Sequence, residues 1–228
     1  MTQTTPNLRD IGDLPTHDGR VVATGRVLRS AVPDATDVWP DGLTWPPPLV
    51  IDLRSPGESE SVHPLEPVGS RVVNLPLLSA LRPGAAPVDT LHDLYLVMLD
   101  HASSMLVDLV REVAAAEGTT LIHCAAGKDR TGVSIALLLR LVGVAHDDVI
   151  ADYLLTAEAE QQISARLNQA AGHDHRMTLP VAFFDVSSEA IIGVLAAWDG
   201  HPGGPEGWYL SAGGSTDDLE QLRRTLLA

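Results

Sequence analysis

The sequence predicts an α/β fold of three layers: a central, mostly parallel sheet flanked by helices, with extra helical cover. Three observations predict it. Short apolar runs of strand length are followed by longer segments whose apolar residues recur every three or four positions. One strand–loop–helix unit occupies the centre of the chain, over residues 119–142. The 228 residues are 45% hydrophobic and 20% charged, enough for a core and ordinary for one domain spanning 1–228.

In chain order, the first 30 residues read as an extended arm closing on a short strand between Arg20 and Ser30, with a turn at Asp18-Gly19. Residues 33–48 hold Pro33, Pro40 and Pro46-Pro47-Pro48 and read as loop. Leu49-Val50-Ile51-Asp52-Leu53 is an apolar run ending near a charge, a buried strand. Arg71-Val72-Val73-Asn74-Leu75 is a second strand, stopped by Pro76, and residues 79–88 form another Pro/Gly loop. From Asp89 the period lengthens. Leu91, Leu94, Tyr95, Met98, Ala102, Met105, Leu109 and Val113 predict one long amphipathic helix, capped by Asp89 and stopped by Gly118. Thr119 to His123 is a buried strand, and residues 130–142 form an almost wholly apolar helix. Two helices are predicted over 147–157 and 158–170, and residues 147–175 are a candidate helical lid. Three helical segments close the chain: one from near Ser187, one over about 205–212, and one from Ser215 with Asp218 at the N3 position of a capping box.

Charge and cysteine usage narrow the function classes. Thirty acidic residues against fifteen basic ones give a net charge of −15, which disfavours a nucleic-acid-binding face and general attraction to anionic membranes. No apolar run approaches a membrane span; Val133 to Leu139 ends at Arg140. The single cysteine excludes an internal disulfide and any multi-cysteine metal site. With no signal peptide at the start, a cytoplasmic location is expected, export by another route being left open. The basic set is lopsided: Lys128 is the only lysine, four positions after the only cysteine, Cys124.

That coincidence falls in a loop between the strand ending at His123 and the helix beginning near Arg130. Such a loop points backbone N–H groups and the positive end of a helix dipole into one concavity. Small Ala125 and Ala126, with Gly127, let those amides close on an anion, and Arg130 can fork two donors onto phosphate oxygens. The same cup suits a thiolate, so Cys124 is expected to hold its sulfur as an anion and attack phosphorus in line. Thr131 could bond the sulfur and ease its departure. Two blander readings stand beside this one: a cysteine buried for packing, and an anion-binding loop whose cysteine is not a nucleophile.

His123-Cys124-Ala125-Ala126-Gly127-Lys128-Asp129-Arg130-Thr131-Gly132 resembles the H-C-x5-R-[ST]-G signature of cysteine-dependent protein tyrosine phosphatases. Its Gly-Lys-Asp-Arg version resembles the bacterial atypical tyrosine/serine phosphatases of the mycobacterial phosphatase B type, which also act on phosphoinositides. Asn7-Leu8-Arg9-Asp10-Ile11-Gly12, Arg26-Val27-Leu28-Arg29-Ser30-Ala31, Ile51-Asp52-Leu53-Arg54-Ser55 with Glu58 and Glu60, and Gly207-Trp208-Tyr209-Leu210 through Leu222-Arg223 resemble further segments of that group. The resemblance implies a phosphotyrosine-phosphatase-like fold with Cys124 as nucleophile, Arg130 as phosphate clamp and the amides of Ala125 to Asp129 as donors. Lys128 would favour a second phosphate, as on an inositol ring, the alternative being an exposed lysine. His123 would fix the loop through backbone hydrogen bonds, with Gly132 helping to position it. No cofactor or metal is implied.

The general acid is open between two residues. By the same analogy Asp129 is favoured, with Asp52 positioning the loop or sharing the role, unless Asp52 merely pairs with Arg9, Arg29 or Arg54. Trp39-Pro40-Asp41 is read as a chance match to the mobile acid loop of the tyrosine-specific branch, since it lies 83 positions before Cys124 and ahead of the Asp52 strand. Asp93 and Asp100 are placed on the solvated face of the long helix, and His173-Asp174-His175 in a solvated loop rather than at a metal. The expected activity is removal of phosphate from phosphotyrosine, with phosphoserine/threonine and phosphoinositides as further substrate classes. The rivals are a rhodanese-like sulfur transferase and a phosphate-binding module without turnover.

Overall fold

The computed structural model describes residues 4–39, 41–58, 62–79, 90–170 and 186–228. Its centre is a five-stranded sheet made of β1 (Arg9–Asp10), β2 (Val27–Ser30), β3 (Leu49–Asp52), β4 (Arg71–Asn74) and β5 (Thr120–His123). The strand order is β1-β2-β5-β3-β4. Only β1 runs antiparallel to its neighbour. The parallel pairs place Ser30, His123 and Asp52 side by side at the carboxyl edge. Because β5 inserts between β2 and β3, the loop after His123 emerges at the middle of that edge, where open α/β sheets collect ligands.

Alternation along the strands sorts the core into two faces. Val27, Leu49, Ile51 and Ile122 turn to a large cluster shared with the helices. Leu28, Val50 and Leu121 turn the other way, onto Leu65, and there the cover is irregular chain carrying Leu8, Trp39, Leu43 and Trp45. The third layer is thus made mainly of the proline-rich segments, whose φ restriction suits them to extended cover rather than helix. Trp39 stacks on Trp45 in this layer, and Asp41 is exposed. Pro40, the middle of that triplet, lies outside the described residues.

The predicted long helix is two. α1 covers Leu91–His101 and α2 covers Ser103–Ala115, with Ala102 at φ −109°, ψ 15° between them. The apolar period runs through the break, so it gave no warning. The cause is tertiary: α1 packs on α6 (Ser188–Gly200) and α2 on α8 (Thr216–Leu226), and one straight cylinder does not follow both. The N-cap is Thr90, whose side chain accepts from the Asp93 N–H at 3.1 Å; Asp89 lies outside the described residues.

α3 (Asp129–Leu141) is buried along nearly its whole length, which explains a sequence with almost no polar face. It packs against α4 (His146–Leu154) and α6, and touches β2 and β5. A 3-10 turn over Leu155–Ala159 leads into α5 (Glu160–Ala170). In the candidate lid, α4 buries Val149, Asp152 and Tyr153 against the body. α5 is largely exposed and tied down by Arg166, which pairs with Asp37 at 2.5 Å and donates to Val32 O. Residues 171–175, with His173-Asp174-His175, lie outside the described residues. α7 (Gly204–Ser211) and α8 finish the chain, and Ser215 and Asp218 close a reciprocal capping box. Among the described residues, no helix is long and apolar enough to cross a membrane.

Candidate active site

The loop from Cys124 to Asp129 is shaped by where its carbonyls go. Cys124 O faces His123 Nδ1 at 3.0 Å, and Ala125 O accepts from the Val32 N–H at 3.1 Å. Ala126 O accepts from Asn7 Nδ2 at 3.4 Å. Gly127 O accepts from Asn7 Nδ2 at 2.9 Å and from the Arg29 guanidinium at 2.8 Å. Four consecutive carbonyls are therefore bound to the surrounding scaffold. A trans peptide sets N–H opposite C=O, so the amides of residues 125 to 128 are turned the other way. The Gly127 N–H reaches Cys124 Sγ at 3.2 Å, which locates the sulfur on that side. Gly127 can do this because it has φ +68°, and because a Cβ there would come within 2.2 Å of Ser30 O.

Cys124 is 2% exposed, at the base of this loop and at the margin of the main core cluster. It is not surrounded by apolar residues alone, since it and the buried Arg130 influence each other electrostatically. Burial acts to lower the Arg130 pKa, but negative charge on Cys124 and the carboxylate of Glu58 raise it above its ordinary value. Glu58 grips the guanidinium with both oxygens, Oε2 to one terminal nitrogen at 2.6 Å and Oε1 to the other at 2.8 Å, and Leu53 O lies at 3.4 Å. Among the described residues this accounts for three of the five N–H donors. The Nε–H and one terminal N–H remain as a second fork, a geometry that suits two oxygens of one oxyanion.

His123, fully buried, belongs to a chain of hydrogen bonds whose direction can be read. The Leu65 N–H donates to His63 Nδ1 at 3.2 Å, so His63 carries its proton on Nε2. That proton meets His123 Nε2 at 2.9 Å, which leaves the His123 proton on Nδ1, where it donates to Cys124 O. Both rings are neutral: burial lowers the His63 pKa to about 4, the adjacent His123 ring disfavouring a proton shared by both, and burial likewise lowers that of His123. Asp52 Oδ1 lies 3.9 Å from His123 Nε2. Ligand-type atoms of Asp52, His63 and His123 do fall within 4.8 Å of one another, but the two imidazoles are spent on each other and Asp52 on Arg54.

These histidines set an acid limit. Their folded-state pKa lies below the unfolded value, so the unfolded chain binds more protons as pH falls. The contribution of His63 is intact above pH 6.5 and is lost between 6.5 and about 4, and that of His123 is lost in the same direction, as pH falls below 6.5. Lowered carboxylates such as Asp52, Glu58 and Asp152 act in a separate window, below the usual carboxylate range. Urea unfolding at pH 7 and pH 4.5 is expected to show a loss on the order of 2 kcal/mol, and a His63→Asn variant a smaller slope between them.

Asp129, at the start of α3, accepts a hydrogen bond from Tyr95 Oη at 2.7 Å, and Lys128 Nζ lies 3.5 Å from its Oδ1. Tyr95 gives its only proton to Asp129, so the Tyr153 hydroxyl, 2.8 Å away, must donate to Tyr95. Burial, with Asp129 nearby, raises Tyr95 well above the ordinary phenol and pushes Tyr153 up to about 12. Gly132 leaves room for Tyr153: a Cβ there would lie 2.9 Å from its ring. Lys128 is buried, at 6% exposure, rather than displayed to solvent.

Two roles read from sequence change here. Of the readings open for Asp52 (loop positioning, a share in proton transfer, or pairing with Arg9, Arg29 or Arg54), the geometry shows the pair with Arg54, which bonds both its oxygens, at 3.0 Å and 2.8 Å. Burial pushes its carboxyl up, yet the Arg54 hydrogen bonds and the neighbouring positive charges hold it below the usual range, so it carries no proton at neutral pH. Thr131 was to bond the sulfur, but its fully buried hydroxyl has no hydrogen-bond partner among the described residues. Sequence reasoning also missed roles for Glu58, His63, Tyr95, Tyr153 and Asp152. Two of them left a signal: Glu58 through its place in the motif after Ile51-Asp52-Leu53-Arg54-Ser55, and Asp152 as a charge in the same helical stripe as Val149 and Tyr153.

A family model described as "Tyrosine phosphatase family" matches residues 1–228. The chain belongs to the tyrosine phosphatase family. Among the members it resembles is a protein of Cupriavidus necator named as a tyrosine-protein phosphatase, 34% identical over 74% of this chain and 65% of that protein. A tyrosine-protein phosphatase of Nostoc commune is 29% identical over 59% of this chain and 48% of its own length. A triple specificity protein phosphatase, PtpB, of Mycobacterium tuberculosis is 33% identical over 50% of this chain and 45% of its own. The chain thus spans about half to two thirds of the length of these tyrosine phosphatase relatives.

Proposed function

We propose that this chain hydrolyses phosphomonoesters through a cysteinyl-phosphate, with phosphotyrosine proteins as its principal substrates and phosphoserine/threonine proteins or phosphoinositides as further ones. The observation that carries the reading is the outward anchoring of four successive carbonyls around one sulfur, with Arg130 fixed by Glu58 at the start of the following helix. Amides turned inward, an Arg fork and a helix N-terminus suit a dianion held above Sγ. In the first step Sγ attacks phosphorus and the bond to the leaving oxygen breaks as Asp129 delivers a proton to it. In the second, Asp129 takes a proton from water, the water oxygen attacks phosphorus, and the S–P bond breaks to return the thiolate and release inorganic phosphate. Tyr95 and Tyr153 hold the Asp129 carboxyl in place, and Asp52 anchors Arg54 and the His123 chain. A reducing compartment such as the cytoplasm would keep Cys124 a thiol.

The deciding experiment is release of phosphate by the purified protein from p-nitrophenyl phosphate, then a kcat/KM comparison across phosphopeptides and phosphoinositides. Binding of phosphopeptide without release would leave only a binding module; turnover of thiosulfate instead would favour sulfur transfer. Asp129→Asn is expected to cost about 10²–10⁴-fold in kcat for a poor alkyl or phenyl leaving group, and far less for p-nitrophenol. Equal losses on both substrates would remove Asp129 from the acid role.

A further inference from the structure

Beneath the phosphate loop lies a buried charge cluster with no part in the chemistry above. Arg29 is 0% exposed. One terminal nitrogen donates to Asp152 Oδ2 at 2.5 Å and the other to Gly127 O at 2.8 Å. Arg9 donates through Nε to Asp152 Oδ1 at 2.8 Å and through a terminal nitrogen to Asp152 O at 2.6 Å. Its other terminal nitrogen bonds Asn7 Oδ1. Asn7 sits in the left-handed region at φ 59°, which aims its amide at the loop. Two guanidiniums therefore share one carboxylate. Burial and the charge of Arg29 lower Arg9 to about 10, while Asp152 and Glu158 act to raise it, so Arg9 remains charged at neutral pH.

We propose that Arg29 and Asn7 are positioning residues that lock the peptide between Gly127 and Lys128 with its carbonyl outward, and that Asp152 and Arg9 hold Arg29 to that task. The planar peptide then forces the Lys128 N–H to the sulfur side. With the carbonyl released, this peptide is free to rotate and can present oxygen, not hydrogen, to an incoming phosphate. The inference rests on the phosphate-cradle reading of the loop and explains why Asn7, Arg9 and Arg29, far apart from the loop in sequence, belong to the site.

The test compares wild type with Asn7→Ala, Arg29→Lys and Arg29→Met, reading tungstate affinity by calorimetry, kcat and KM on p-nitrophenyl phosphate, and Tm. Asn7→Ala removes the donor to Gly127 O and the Oδ1 that accepts from Arg9, but leaves Arg9 paired with Asp152, so it guards against a variant that merely unfolds. Tungstate binding is expected to weaken about threefold to tenfold in folded Asn7→Ala, and at least about tenfold in Arg29→Met, the loss of a charged donor, with Arg29→Lys between them. KM and kcat should change while the Asp129-dependent limb of the pH profile stays in place. Folded Asn7→Ala and Arg29→Lys proteins that bind tungstate as wild type does would overturn the proposal. A wild-type protein that binds tungstate but turns over no substrate would instead sink the hydrolase reading alone.

Discussion

Cys124→Ser is expected to lower turnover of p-nitrophenyl phosphate by at least about 10⁴-fold, because a serine hydroxyl in the same place is a far weaker nucleophile at neutral pH and no second group near it can take over. The amide cradle and Arg130 stay, so inorganic phosphate or vanadate should bind within a few-fold of wild type. Serine is close to cysteine in size and Cys124 is one residue of a large core, so Tm should move by only a few degrees. Steady-state kinetics beside a calorimetric titration with phosphate checks both halves. Appreciable turnover by the serine variant would place the nucleophile elsewhere, and loss of phosphate binding would mean that the sulfur, rather than the amides, holds the anion. Cys124 is also the only thiol, so iodoacetate incorporation counts this one site, and phosphate should protect it.

Gly127→Ala is the second large effect, and it acts through backbone. The added Cβ would meet Ser30 O at 2.2 Å, Ser30 C at 2.4 Å and Ala31 N at 2.6 Å. All three are main-chain atoms at the end of β2, which cannot swing aside as a side-chain tip could. The residue also sits at φ +68°, where an L side chain is itself unfavourable by about 1 kcal/mol. The loop must therefore move off the sheet edge, breaking the Arg29 and Asn7 bonds to Gly127 O and the N–H contact to Sγ together. We expect about 3 kcal/mol or more of lost stability and a fall in kcat/KM of over about 10²-fold. Urea unfolding and kinetics on the folded fraction separate the two. A variant with near-normal activity would mean that the tight seat of this loop is not needed for its function. The acid sensitivity of the His63–His123 chain and the leaving-group dependence of Asp129→Asn probe the same loop from its other two sides.

The residues whose neighbours in sequence are also their neighbours in space were legible at once. Cys124 through Arg130 form a strand-end loop and helix start, so their spacing alone carried the anion-cradle chemistry, and the apolar runs at Leu49 and Thr120 gave the parallel strands around it. The capping box at Ser215 and Asp218 is likewise a local signal. The two-residue β1 was read as arm, since two residues show no alternation.

Sequence by itself therefore determined the layered α/β class and the placing of Cys124 through Arg130 in a loop between a strand end and a helix start, because period, turn chemistry and a strand–loop–helix unit are short-range properties. Only the tertiary structure decided what holds them. Glu58 meets Arg130 from 72 positions away, His63 meets His123 from 60, Tyr95 meets Asp129 from 34, and Arg29 meets Gly127 from 98. It also broke the predicted long helix at Ala102, and turned Asp52 from a candidate acid into an anchored carboxylate. Hydrogen bonds of this kind depend on which strand lies beside which, and the insertion of β5 between β2 and β3 is a consequence of the whole core closing, not of any stretch of chain within it.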